Sequence, residues 1–200
     1  MNQKNNLYHI PVLRDACING LNINPDGVYV DVTFGGGGHS RLIHSKLSSK
    51  GKLYALDQDK DALRNVWEAP NFHFIQSNFS FLSNQLKLKG VSQVDGILAD
   101  LGVSSHQFDE GTRGFSIRKE GVLDMRMNSS ASRNAADVLH DSTEEELLSV
   151  FRKYGEIRNA KKLAYELVKF RQSSRLDTTQ DFIKFLSDFA PKFKENRYYA

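Results

Sequence analysis

Val28-Tyr29-Val30-Asp31-Val32-Thr33-Phe34-Gly35-Gly36-Gly37-Gly38-His39-Ser40 decides how the first half of this chain is read. Residues 28–32 are β-branched and aromatic around one acid, the composition of a buried strand. Four glycines follow. Each would cost backbone entropy inside a strand or helix, yet each suits a turn where the backbone approaches a ligand closely. Ser40 is positioned to cap a helix whose free N–H groups would face that turn. Strand, glycine turn and helix together form the first unit of a nucleotide-type cofactor site.

Working outward, further short apolar runs alternate with helical patterns. Residues 53–56 read as a strand ending in Asp57, residues 72–75 as one ending near Ser77-Asn78, and residues 95–99 as one ending in Asp100. Residues 59–67 and 79–88 read as helices between them. Strands alternating with helices imply an α/β, Rossmann-like parallel sheet covered on both faces. The character changes after Asp100. Residues 102–127 are loop-like, rich in Gly, Ser and Arg, and the chain reads as helical from Arg133 onward. Ser142-Thr143 ahead of Glu144, Glu145 and Glu146 offers a capping box. Ile157, Ala160, Ala164, Leu167 and Val168 recur at helical spacing and predict a buried face. Arg158, Lys161, Lys162 and Lys169 lie opposite and read as a solvated surface. Thr178 or Thr179 caps a last helix carrying Phe182, Phe185, Leu186 and Phe189. The expected organisation is a four-stranded α/β core followed by a second, all-helical unit.

The composition sets limits. Over 200 residues the chain is 40% hydrophobic and 26% charged, an ordinary globular balance. A formal charge of +3 and a pI near 8.9 are compatible with a nucleic-acid partner without arguing for one. Cys17 is the one cysteine, so no internal disulfide forms; it reads as a small core filler in a reducing compartment. No stretch approaches the roughly 20 apolar residues that span a bilayer, and the polar N-terminus has no signal-peptide core. The expected location is the cytoplasm.

The carboxyl ends of the strands carry the chemistry. An acid at the position of Asp57, ending the second strand, accepts hydrogen bonds from ribose hydroxyls in this fold class. The dinucleotide fingerprint G-x-G-x-x-G is missing, and Asp31 stands inside the strand ahead of the glycines. That register is closer to the acid-x-G-x-G-x-G turn of S-adenosylmethionine enzymes, with Thr33 replacing the first glycine. An acid at Asp31 also suits a neighbouring sulfonium and amino group; the alternative is that Asp31 caps a turn and Asp57 is a solvated strand end. Asn78 and Phe79 stand where adenine lies between an apolar wall and a polar edge. Asp100-Leu101-Gly102-Val103-Ser104-Ser105-His106-Gln107 follows the fourth strand. Amino-group methylases carry a polar residue there, because the lone pair of a cytosine amine is delocalised into the ring. An acceptor favours a more pyramidal nitrogen, and alignment with the methyl–sulfur bond supplies much of the rest. Such a transfer requires no metal.

With these residues assembled, the chain resembles the ribosomal RNA small subunit methyltransferase H family (RsmH, also called MraW). The strings that carry the likeness are His9-Ile10-Pro11-Val12-Leu13, Thr33-Phe34-Gly35-Gly36-Gly37-Gly38-His39-Ser40, Leu56-Asp57-Gln58-Asp59 and Asp95-Gly96-Ile97-Leu98-Ala99-Asp100-Leu101-Gly102-Val103-Ser104-Ser105. Arg113-Gly114-Phe115-Ser116, Leu123-Asp124-Met125-Arg126-Met127 and Tyr154-Gly155-Glu156 continue it. The resemblance implies a 16S rRNA (cytosine-N(4))-methyltransferase acting on a cytidine of the decoding centre. It implies S-adenosyl-L-methionine as cofactor, held by Gly37, Gly38, His39, Asp57, Phe79, Asp100 and Gln107. It also implies Asp100 as the catalytic residue beside the target base, a methyltransferase core over residues 1–110 and an inserted helical RNA-recognition domain over residues 111–200. His106 and Glu120-Gly121-Val122-Leu123 depart from the family pattern, which has Pro and Asp-Gly-Pro-Leu there. Family members continue beyond the equivalent of Ala200 and return to the sheet, so a C-terminally truncated product is expected. Its open sheet edge would then pair with a loop or a second chain.

Other readings compete. Asp31 and the missing G-x-G-x-x-G disfavour a nicotinamide-dependent dehydrogenase. A cofactor-binding fragment without activity, lacking the far part of the sheet, is the alternative function. Arg113, Arg118, Lys119, Arg126 and Arg133 form a basic tract that would either bind phosphates or be a solvated face. Phe108 and Phe115 are read as packing residues in preference to base-stacking ones, and His9 as an anchor of the N-terminal segment.

Overall fold

The computed structural model describes residues 13–192 and 195–199; His9 lies outside the described residues. The chain divides into two compact units. One comprises Met1–Gly102 with Met127–Ser129, the other Val103–Arg126 with Ser130–Ala200. The break follows the fourth strand directly, where the composition also changes, and lies upstream of the 110/111 boundary that the family resemblance implies. The reason is local: a short helix at Ser105–Asp109 packs with the turn at Gly111–Arg113, so the residues just before Gly111 already belong to the second unit.

In the first unit the order is α1 (Arg14–Leu21), β1 (Val28–Asp31), α2 (Gly38–Lys46), β2 (Lys52–Asp57), β3 (Phe72–Gln76), α3 (Leu82–Leu88) and β4 (Gly96–Leu98). The strands form one parallel sheet ordered β3-β2-β1-β4. Side chains alternate across it, as the twofold period of a strand requires. Tyr29, Leu53, Ala55, Phe72 and Leu98 pack with Ile18 of α1 and Ile43 of α2. Val30, Tyr54, Leu56 and Ile75 pack with Leu86 of α3. Both faces are thus covered, and each large apolar side chain buried there is worth roughly 1.5–3 kcal/mol. Cys17 packs at the margin of the first of these clusters.

Residues 59–67 do not form the expected α-helix. They hold a 3-10 helix at Lys60–Asn65, with the Asp59 side chain accepting from Asp61 N, and the chain is extended at Val66. Pro70 disfavours helix at the residue before it, leaving too short a run to nucleate an α-helix. Trp67 is drawn onto Phe72 instead, the rings 3.8 Å apart and nearly parallel.

The second unit contains α4 (Ser105–Asp109), α5 (Ala135–Asp141), α6 (Glu144–Lys153), α7 (Ala160–Phe170), α8 (Thr179–Ser187) and α9 (Glu195–Tyr199). Capping boxes start α4 at Ser104, α5 at Asn134, α6 at Thr143 and α8 at Thr178. Each satisfies two N–H groups that a helix start leaves open. Leu139, Leu147, Phe151, Leu163, Leu167, Leu176 and Leu186 form the core. The tract before α5 is not wholly loop: besides α4 it holds a 3-10 turn at Gly111–Arg113. A bridge from Val122 to Thr178 and the Leu123 N–H donating to Asp177 O (2.9 Å) pin its far end.

Candidate active site

The sheet order reverses between β1 and β4, and in open α/β sheets ligands bind at the carboxyl ends of the strands at such a point. Asp31 ends β1 and is fully buried. Its carboxylate accepts from Ser40 Oγ (2.6 Å), Thr33 N (3.0 Å) and Thr33 Oγ1 (3.3 Å). Burial pushes the Asp31 carboxyl above its usual 3.8, and the Ser40 and Thr33 hydrogen bonds oppose the rise. Two expectations change here. Ser40 is not the cap of α2: Gly37 is, and Ser40 sits inside the helix. Asp31, read as standing near a sulfonium and amino group, is hydrogen-bonded here to Thr33 and Ser40 and so ties the end of β1 to α2.

The glycine turn has the conformation glycine permits. Gly35 and Gly37 have φ of +48° and +76°. The Gly37 N–H donates to Phe34 O (2.7 Å), and a Cβ on Gly37 would stand 3.1 Å from the Phe34 ring. Asp57, ending β2, accepts from Gly35 N (2.7 Å) through one oxygen and from Asp59 N (2.8 Å) through the other. Burial raises the Asp57 pKa above 3.8, opposed by those backbone donors. The Gln58 N–H donates to this carboxylate as well, which leaves about one of its roughly four acceptor positions for a ligand hydroxyl. Asn65 Nδ2 donates to Gly35 O (2.9 Å), a support the sequence did not reveal, because nothing near Asn65 marks it as facing the turn.

Gly37 offers no side-chain cap, so the first turn of α2 presents backbone N–H groups without one. His39 stands in that turn, buried, with neither ring nitrogen in a hydrogen bond. Its Nε2 lies 3.5 Å from Asp100 Oδ2, whose side chain is 56% exposed. The Asp100 N–H donates to Thr33 Oγ1 (2.8 Å), joining the segments that follow β1 and β4. Phe79 is 45% exposed in a 3-10 turn after β3, so it is not a core residue. Asn78 accepts from Ser80 N (2.8 Å) and donates to Gln58 Oε1 (2.8 Å), linking the ends of β3 and β2.

Gly37, Gly38, His39, Asp57, Phe79 and Asp100 therefore all follow strand ends of the first unit. Gln107 belongs to the second, where it is buried and its Oε1 accepts from Ser104 N (2.9 Å) in the cap of α4. A buried histidine whose ring nitrogens make no hydrogen bond fits a polar cofactor laid against the glycines.

The basic tract is not a free phosphate-binding surface. Arg113 is buried and donates to Arg126 O (2.9 Å); Arg126 pairs with Asp124 (2.6 Å) and donates to Ala131 O (2.6 Å). Arg133 reaches Ser142 Oγ (3.4 Å), and Lys119 bonds to Asp109. Arg118 alone of the five keeps its side chain outside such bonds among the described residues. Phe108 is 48% exposed, and Phe115 lies 6.0 Å beneath the Arg113 guanidinium.

A profile of the MraW methylase family matches residues 6–200. The chain is 50% identical over 201 residues to the ribosomal RNA small subunit methyltransferase H of Parabacteroides distasonis, covering 100% of this chain and 66% of that protein. The protein of the same name from Cytophaga hutchinsonii is 52% identical over 196 residues, covering 97% and 65%. That of Porphyromonas gingivalis is 56% identical over 171 residues, covering 85% and 55%. The chain thus spans about two thirds of the length of the first two of these relatives. Among the described residues, no helix is long and apolar enough to cross a membrane.

Proposed function

The chain belongs to the MraW methylase family, and from that membership we propose that it binds S-adenosylmethionine at the carboxyl edge of its sheet and methylates the N(4) amine of a cytidine in 16S ribosomal RNA. The observation that carries this reading is buried His39 in the first turn behind the glycines, neither ring nitrogen hydrogen-bonded and Nε2 3.5 Å from the exposed Asp100 carboxylate. A buried polar group without a partner costs about 1–3 kcal/mol, a cost a ligand polar group would remove.

When bound, S-adenosylmethionine supplies an electrophilic methyl group on a sulfonium. Gly37 and Gly38 let the backbone approach it, and His39 with the open N–H groups of α2 hold its amino-acid end. Asp57 accepts from the ribose, and Phe79 covers the adenine. Asp100 accepts a hydrogen bond from the cytosine amine and so turns the nitrogen lone pair toward the methyl. Gln107 stands in the cofactor set by likeness to the family alone. The helical unit serves RNA recognition, and the cytoplasm is the compartment where such a substrate is met. Self-association through β4 is a further element: β4 pairs only with β1 among the described residues, and Ile97 on it is 50% exposed.

Calorimetric titration should show S-adenosylmethionine binding and no comparable nicotinamide-cofactor binding. With labelled cofactor and unmodified small subunits, Asp100→Ala should lower transfer by at least about 100-fold while cofactor affinity changes far less. Tight nicotinamide binding alone would refute the reading. Cofactor binding without transfer would favour the second reading, a cofactor-binding fragment.

A further inference from the structure

Some surface cations of the helical unit are committed to internal bonds and others, among them Arg152 and Lys153 of α6 and Lys184 of α8, are exposed without an ion pair among the described residues; the densest set of the latter lies at and just before α7. Those of residues 113–133 are mostly committed to internal bonds, as are Arg171, which donates to Leu139 O and Ser142 O, and Arg175, paired with Asp177 at 3.1 Å. Arg158, Lys161, Lys162 and Lys169 are different. Each is exposed, and none has an ion-pair partner among the described residues. Lys162 instead makes a cation–π contact, its Nζ lying 5.9 Å from the centre of the Phe189 ring.

The geometry of α7 concentrates them. Ala160, Leu163, Ala164 and Leu167 are fully buried, which fixes the inward stripe. At about 100° per residue, the opposite face consists of Lys161, Lys162, Tyr165 and Lys169. A merely solvated helix usually intersperses acids and bases at i, i+4. Here Glu166 is the only acid of α7; it stands four residues after Lys162 at one margin of the outward face, as Lys161 does at the other, and is in no ion pair among the described residues. Tyr165 is 54% exposed in the middle of this cationic face, and Tyr154, ending α6, is 76% exposed. Exposed tyrosines among unpaired cations match a single-stranded nucleic acid, whose phosphates meet the cations and whose unpaired bases stack on the rings.

We infer that the outward face of α7, with Arg158 and Tyr154 beside its start, is the surface on which the helical unit docks a single-stranded segment of RNA. The choice of RNA as partner rests on the function proposed above. The lysines neutralise phosphates and set affinity and salt dependence; Tyr165 stacks on a base and contributes affinity that salt does not screen.

The test is fluorescence anisotropy of the full chain with a labelled single-stranded RNA oligonucleotide of mixed sequence over a range of salt. Lys161→Gln with Lys169→Gln should weaken binding about tenfold at low salt and reduce the log–log salt slope by about 1.4. Tyr165→Ala should weaken it about fivefold or more with the slope unchanged, and Tyr165→Phe should restore it. Arg175→Gln, at an exposed paired cation, should bind as the parent does. Matching far-ultraviolet circular dichroism and Tm would confirm that each variant is folded. No RNA binding by the parent chain, or unchanged affinity and slope in the variants, overturns the inference, including the case where the face binds a protein instead. Calorimetric titration of S-adenosylmethionine into the same samples separates the two proposals. Failure of the parent to bind cofactor defeats the proposed function, whereas intact cofactor binding with RNA affinity indifferent to α7 defeats only this one.

Discussion

Ser40 gives Asp31 the shortest of its hydrogen bonds, in a place where no water reaches the carboxylate. Removing the hydroxyl would leave a buried oxygen of an acid short of a donor, at a cost of about 1–3 kcal/mol. The sign of its pH dependence follows from the raised pKa of Asp31. A carboxyl with a raised folded-state pKa favours the fold below its unfolded value and loses that contribution as pH rises through the folded one. Ser40→Ala raises that pKa further. Its destabilisation should therefore be largest at neutral pH and shrink in acid, as Tm measured against pH in parent and variant would show. A loss independent of pH would mean that Asp31 keeps one protonation state across the range. The sequence marked Ser40 correctly as a partner of the helix start but gave it the wrong task. Deciding between a cap and a residue one turn inside depends on Gly37 taking the left-handed conformation, which four consecutive glycines leave open.

At the scale of elements, the strands were legible because their pattern is local. Residues 53–57 and 72–76 are apolar runs with polar ends, and they pair in register as the period requires. The 3-10 segment at Lys60–Asn65 was not legible, because stacking of Trp67 on Phe72 is a tertiary contact that overrides a short helical pattern. The fates of Arg113 and Arg126 were hidden for the same reason: composition counts cations, and only the fold shows which are already bonded. Strand β4 carries its own prediction. Ile97 on this edge strand is exposed, an arrangement that invites pairing with another strand. Sedimentation of the chain should show concentration-dependent association, and Ile97→Lys should suppress it without lowering cofactor affinity. Association that persists in the variant would place the contact elsewhere.

Across the whole molecule, a net charge of +3 says little about where a polyanion would bind. Cations bonded internally count toward that sum without contributing a free site, and the field is set by those left over. The two units should also answer differently to the cofactor. At 100 times Kd, a ligand that binds only the folded state adds about 2.7 kcal/mol of stability. Hydrogen exchange should slow at residues 31–40 and 52–57 on adding S-adenosylmethionine, while the amides of α7 keep their rates. Uniform slowing, or none at the glycine turn, would speak against a site there.

Trp67 is the only tryptophan in the chain. Its ring lies 6.0 Å from that of Phe34, the residue immediately before the glycines, and the Arg41 guanidinium of α2 sits 4.4 Å above it. Indole emission responds to nearby charge and to the packing of neighbouring rings. The protein therefore carries an intrinsic optical gauge beside its own glycine turn, and movement of that turn or of α2 would be readable as a change in emission without any attached label.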